Sequence, residues 1–192
     1  MNRYEDVTPM TTAVSAAQQA GASPSQAANA AKRQDTIQVV EFLLGMEHFA
    51  IDLFDVKEVM EYTRIPELPN APANIKGIID LRGEITTIFD IKQTMNMKQT
   101  SSHAETSSRI IVIDNTITKS KIGIIVDAVL SVSTFPRSDL DESASSTVDN
   151  QLINGIIRKK TKIKDSLSTD LVIWINIRSI LEESGLGIGA VT

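Results

Sequence analysis

The stretch IKGII at 75–79 returns as INGII at 153–157, and FDIKQTM at 89–95 returns as INIRSIL at 175–181. HFAIDLFDV (48–56) aligns in the same way with KIGIIVDAV (121–129), each leading into a proline-bearing crossover, with Pro66 and Pro136. The repeat spans about 70–85 residues, too long for a solenoid unit and right for a small domain. Each copy offers about five short Ile/Val-rich strands and a helical turn. Five short strands can bury one face only by closing, because a flat sheet leaves two edges exposed. The expected fold is therefore all-β with a few short helices: two small barrels side by side, interleaved over roughly 36–95 and 108–175. A closing helix is expected over 176–183. Strand pattern does not fix which strands pair, so a single larger sandwich stays open.

Working outward, TIQVVEFLL (36–44) and HFAIDLF (48–54) flank Gly45 as a hairpin. In FDVKEVMEY (54–62) the period changes. Val56, Val59 and Met60 stand at i, i+3 and i+4, which predicts a short helix with Asp55 as N-cap and Glu58 in capping-box register. RIPELPNAP (64–72) reads as an extended crossover, since each proline pushes its predecessor out of the helical region. Two strands turn near Arg82–Gly83–Glu84, with Gly83 where a positive φ costs least. RIIVID (109–114), KIGIIVDAVLSVSTF (121–135), LINGIIRKK and LVIWINI supply further strands. Asn176 caps the last helix, which presents Ile177, Ile180 and Leu181 on one face, with Gly185 past its end. Residues 1–35 are rich in Ala, Gln, Ser and Thr and read as a flexible leader; 184–192 read as a flexible tail.

Composition narrows the function classes. The 192 residues carry 42% hydrophobic and 22% charged side chains, ordinary for a globular chain, with a net charge of -5. That balance and 4% aromatic content argue against nucleic acid, which needs clustered cations and stacking platforms. The one dense basic run, RKKTKIK (158–164), reads as an exposed hairpin. The absence of cysteine excludes disulfides and thiolate chemistry. His48 and His103 have no second imidazole at metal-binding spacing, so no metal and no cofactor are expected. Nucleotide-binding and nucleophile-elbow motifs are missing, which points away from an enzyme. No apolar run approaches a bilayer span and no signal pattern opens the chain, so a cytoplasmic location is expected. Arg82, beside Gly83 in a turn, needs either solvent or a carboxylate. Glu58 is its candidate partner across the first barrel.

FLLGMEHFAIDLFDVKEVMEY, RIPELPNAPANIKGIIDLRGEITTIFDI, KIGIIVDAVLSV, INGII and LVIWINIRSIL, in that order, resemble the CheW-like family over about residues 36–183. The most specific element is a proline followed by I-K-G-I-I-x-L-R-G-x-I and then F-D-I. The resemblance implies two five-stranded, SH3-like β-barrels forming a non-catalytic scaffold in chemotaxis signalling. It implies coupling of the cytoplasmic tip of methyl-accepting chemoreceptors to the regulatory domain of the histidine kinase CheA, with membrane association only through receptors. It also implies that Val56 and Ile110 face the receptor in a groove between the barrels, and that Glu58 and Arg82 form an interface ion pair. An adaptor of a parallel pathway, governing pili or second-messenger synthesis, would share every motif; a small nucleic-acid-binding barrel is a remoter alternative. Here Asp80 stands where the family has Asn, and Thr86–Thr87 where it has Val-Pro, so Asp80 is a competitor of Glu58 for Arg82.

Overall fold

The computed structural model describes residues 35–97, 107–114, 116–118, 120–143, 151–163 and 166–185. His103, all but the last residue of the leader, 144–150 and the end of the tail lie outside the described residues. The chain divides after Asp35, and the unit Thr36–Thr192 contains every element below.

Strands β1 (Thr36–Leu44) and β2 (Glu47–Asp52) form the first hairpin, and a 3₁₀ turn, Leu53–Asp55, leads into β3 (Val56–Glu61). After the proline crossover come β4 (Ile75–Leu81), β5 (Glu84–Phe89) and the one-turn helix α1 (Ile91–Thr94). The second copy runs β6 (Arg109–Ile113), β7 (Ile122–Val126), β8 (Ala128–Pro136), a 3₁₀ turn Arg137–Asp139, β9 (Leu140–Asp141), β10 (Ile153–Ile163), β11 (Ser166–Ile175) and α2 (Ile177–Glu183). Asp90 and Asn176 occupy the same place in the two copies and both cap a helix, accepting from Lys92 and Ser179 backbone N–H. Such caps contribute on the order of 1 kcal/mol each.

The helix expected over 54–62 is a strand. The helical spacing of Val56, Val59 and Met60 is coincidental: β3 alternates half-buried and exposed residues from Val56 to Glu61 and pairs antiparallel with β6. Asp52, not Asp55, caps the short 3₁₀ turn, accepting from Phe54 N–H at 2.9 Å. Glu58 therefore sits on a strand, where the capping-box role does not apply.

One sheet has the order β3-β6-β7-β5-β4 and the other β8-β1-β2-β11-β10-β9. The barrels thus do not follow the sequence halves 36–95 and 108–175. Each takes its first hairpin from one copy and its remaining strands from the other. The joints are parallel ladders, β5 with β7 and β11 with β2. The chain crosses between barrels at equivalent points, and each crossing is tied to the other copy's hairpin: Asp114 N–H donates to Asp55 O at 2.9 Å, and Asp127 N–H to Leu43 O at 3.0 Å.

Closure depends on two equivalent glycines. Gly77 (φ +155°) and Gly155 (φ +158°) sit at matching β-bulges on β4 and β10. A Cβ on Gly77 would run into the Pro66 carbonyl, and one on Gly155 would lie 2.8 Å from the Asp141 carbonyl. The connecting segment presses on the glycine in each barrel; in the first, Ile78 N–H donates to Pro66 O at 3.3 Å.

Three apolar clusters follow from this exchange. Ile65, Ile79, Ile88, Ile110 and Val112 fill the first barrel. Ile37, Val39, Ala50, Phe135, Ile157 and Val172 fill the second. The largest lies in the seam, where Val40, Phe42, Phe49 and Ile51 meet Ile111, Ile113, Ile122, Ile124 and the buried face of α2, Ile177, Ile180 and Leu181. Burial of each such side chain is worth roughly 1.5–3 kcal/mol, so the seam holds the barrels as one body.

Candidate functional site

The duplication places β3 and β8 in the same role. Each is the edge strand at the start of its sheet, each pairs with the first strand of the other copy, and each carries a bulge at its beginning. Aligning DVKEV (55–59) with AVLSV (128–132) sets Val56 against Val129 and Val59 against Val132. Val56 and Val129 are half-buried and pack on the seam cluster. Val59 pairs with Ile111 and Val132 with Val40, both buried in that cluster. The seam-facing surface of each sheet therefore continues onto its edge strand, where it is uncovered: Val59 is 42%, Leu130 45% and Val132 62% exposed. Phe54, on the 3₁₀ turn preceding β3, is 77% exposed. Isolated exposed apolar residues are ordinary, but here the exposed residues of both edge strands continue one buried core outward.

Of the two expected groove residues, Val56 is half-buried on the edge strand β3 and packs on the seam cluster, beside these exposed side chains. Ile110 is fully buried inside the first barrel, paired with Met60 and Ile125, because strand alternation sends Ile111 and Ile113 to the seam and Ile110 to the interior. Its contribution to any groove is support from behind. Periodicity did not single out Leu130 or Val132 and took Val59 only as part of a helical stripe; the signal that finds them is the internal alignment carried three residues past Val56 and Val129.

Glu58 and Arg82 do meet, with Arg82 Nη2 2.8 Å from Glu58 Oε2. β3 and β4 are the two edges of their sheet, so the pair spans the line along which the first barrel closes. Its side chains are 77% and 25% exposed, which limits it to about 0.2–1 kcal/mol and leaves much of the guanidinium facing solvent. Arg82 (φ +55°) and Gly83 (φ +84°) form a two-residue hairpin turn with both residues in the left-handed region. Asp80 is not a rival for Arg82: its Oδ1 accepts Gly83 N–H at 2.6 Å and pins the turn.

The basic run is largely matched by acids. Arg158 pairs with Asp141 at 2.5 Å, Lys159 with Glu41 at 2.6 Å, and Lys160 with Asp139 at 3.6 Å. Among the described residues no group of three or more His, Asp or Glu side chains could hold a metal ion. A third feature is a clasp at the crossing point: Asp127 Oδ1 takes Lys92 Nζ at 2.7 Å and Oδ2 takes Gly45 N–H at 2.5 Å, joining α1, the β1–β2 turn and the β7–β8 step.

The family model described as "CheW-like domain" matches residues 38–185. "Chemotaxis protein CheW" of Treponema pallidum is 27% identical over 133 residues, covering 68% of this chain and 78% of that protein. The protein of the same description from Thermotoga maritima is 23% identical over 146 residues, covering 76% and 88%. Among solved structures, scaffolding protein TtCheW from Thermoanaerobacter tengcongensis superposes with a TM-score of 0.63 at 29% identity, covering 76% of this chain and 87% of that one.

Proposed function

The chain belongs to the CheW-like domain family and is a non-catalytic chemotaxis scaffold, and from that premise we propose that it couples the cytoplasmic tip of a methyl-accepting chemoreceptor to the regulatory domain of the histidine kinase CheA. The observation that carries this reading is the pair of apolar rows, Val56 and Val59 on β3 and Val129, Leu130 and Val132 on β8, flanking the seam. A receptor tip is a helical hairpin, and an amphipathic helix docks by laying an apolar stripe into such a surface. The Glu58–Arg82 pair, at the closing edge of the first barrel, supplies an oriented cation for a partner carboxylate. The reading carries a cytoplasmic location with it; no helix among the described residues is long and apolar enough to cross a membrane.

The test uses the full chain with a chemoreceptor cytoplasmic fragment and the kinase regulatory domain from the same genome. Val59→Glu and Val132→Glu each place a charge on exposed positions, so folding is retained, and each is expected to weaken receptor binding by about tenfold or more, the equivalent of one desolvated anchor. Kinase binding by the same variants serves as the internal control. Undiminished receptor binding by both variants would sink this reading.

A further inference from the structure

Strand β8 runs against its own hydrophobic pattern. The sequence Leu130-Ser131-Val132-Ser133 alternates, and ordinary patterning would turn Leu130 and Val132 into the barrel and the serines to water. The structure has the opposite arrangement. Leu130 and Val132 are exposed, while Ser131 and Ser133 point inward on the same side as the buried Phe135. Two aliphatic side chains are thereby left in water while two half-buried hydroxyls face the interior, an orientation favoured where the hydroxyls find an acceptor.

The acceptor is Glu41 on β1, a fully buried glutamate. Its Oε1 accepts from Ser131 Oγ at 3.1 Å and from Ser133 Oγ, and the two hydroxyls lie 3.2 Å apart. Its Oε2 receives Lys159 Nζ from β10 at 2.6 Å. The cluster thus links the edge strand, its neighbour and β10, near the other end of the sheet order. Among the described residues β8 is laddered to β1 alone, and the register shifts at Leu130, between the pairs Glu41–Ser131 and Phe42–Val129. A one-residue slip there would keep most ladder bonds and turn every side chain of the strand to the other face. A slip of β8 would leave the Glu41–Lys159 pair intact but strip Oε1 of both hydroxyls and set an aliphatic side chain against a buried carboxylate, and an acceptor left unsatisfied in that way costs about 1–3 kcal/mol.

We propose that Glu41, held by Lys159, is a positioning residue that locks the register of β8 and so keeps Leu130 and Val132 on the docking surface. This rests on the docking assignment above for its consequence, though not for the lock itself. A register slip would bury the apolar row and expose the serines, removing half of the surface that flanks the seam.

Two double variants of the full chain separate the lock from plain stability. Glu41→Gln/Lys159→Met removes both charges but keeps an amide oxygen for the serines; Glu41→Leu/Lys159→Met removes the acceptor as well. Amide hydrogen exchange over residues 129–135 is compared with that over 109–113, alongside receptor-fragment affinity. The leucine double variant is expected to exchange at least about tenfold faster over β8 with β6 unchanged, and to lose receptor affinity in parallel, while the glutamine double variant retains both. Ser131→Ala/Ser133→Ala, which leaves the ion pair in place, covers the case that the leucine variant does not fold, and is expected to shift exchange in the same direction. Equal β8 exchange across all variants overturns the lock. Faster exchange with undiminished receptor affinity overturns the positioning role. Should Val132→Glu leave receptor binding intact while β8 exchange still responds to the acceptor, the docking assignment falls and the lock stands.

Discussion

Replacing Gly77 by alanine tests how the first barrel closes. At φ +155° an L-residue carries a backbone penalty of about 1–3 kcal/mol. The added Cβ also overlaps the Pro66 carbonyl and approaches Ile65 Cγ2 at 2.7 Å, and since the first of these is backbone, the crossover must move at about 1–3 kcal/mol more. The sum is roughly 2–6 kcal/mol, or on the order of 4–24 °C in Tm for a chain of this size. Gly155→Ala meets the Asp141 carbonyl at 2.8 Å and the mobile end of Leu140 at 2.9 Å, a milder clash worth roughly 2–4 kcal/mol in all. Gly83→Ala is the control, because φ is +84° but nothing lies within 4 Å of the added atom, leaving about 1 kcal/mol. Urea denaturation followed by far-UV circular dichroism gives all three values. If Gly77→Ala is no worse than Gly83→Ala, the crossover does not press on β4 and the account of closure is wrong.

A double-mutant cycle on Glu58→Gln and Arg82→Gln should return a coupling of about 0.2–1 kcal/mol that fades with added salt, since the pair is largely exposed. A salt-independent coupling above that range would mean the pair is desolvated. Lys92→Met leaves Asp127, whose side chain is 15% exposed, with Gly45 N–H but no cation, and is expected to cost about 2 kcal/mol in thermal or urea unfolding. A neutral result would remove the clasp from the stability argument. Glu41 adds a pH dependence. Burial alone raises its pKa, but the hydrogen bond from Lys159, those from Ser133 and Ser131, and the Lys159 charge together bring it below the ordinary glutamate value. A carboxyl depressed in the folded state stabilises above its unfolded pKa, and that contribution is lost as pH falls through the folded value. The stability advantage of the native chain over Glu41→Gln should therefore shrink on acidification from about pH 7 to about 3, and an advantage that grows would reverse the assignment.

Much of the architecture is legible in the residues, and the exceptions have physical causes. IKGII and INGII mark equivalent bulged strands, and FDIKQTM and INIRSIL equivalent capped helices, because glycine and cap positions are set by local backbone geometry. The helix expected over 54–62 failed because three apolar residues within five positions satisfy a helical spacing by chance, while β6 supplied a ladder partner that no local pattern records. Pairing partners are long-range: nothing within 36–95 says that β1 and β2 close the other copy's barrel. At the site, the Arg82 turn was readable from its glycine, and its pairing with Glu58 was one of two options left open. Ile110 went the other way, since a run of four consecutive buried side chains hides which alternate members face the barrel and which the seam.

The exchange of hairpins sets the geometry of the two apolar rows. Had each copy closed on itself, each edge strand would pair with the first strand of its own copy. Instead Val59 borders Ile111 from the second copy, and Val132 borders Val40 from the first. Both rows therefore extend the same seam cluster outward. That cluster joins the two rows, and at the two crossings Asp55 and Asp127 tie each edge strand's start to the opposite hairpin. The rows are not equivalent, however. At the position matching Leu130 the first copy has Lys57, and at the position matching Ser131 it has Glu58, so β3 offers charge beside its valines where β8 offers leucine. β3 can place its acid at the barrel edge with Arg82, while β8, with serines inside, relies on Glu41 from the neighbouring strand. A duplicated scaffold thus acquires two unlike flanks, one carrying charge beside its valines and one apolar.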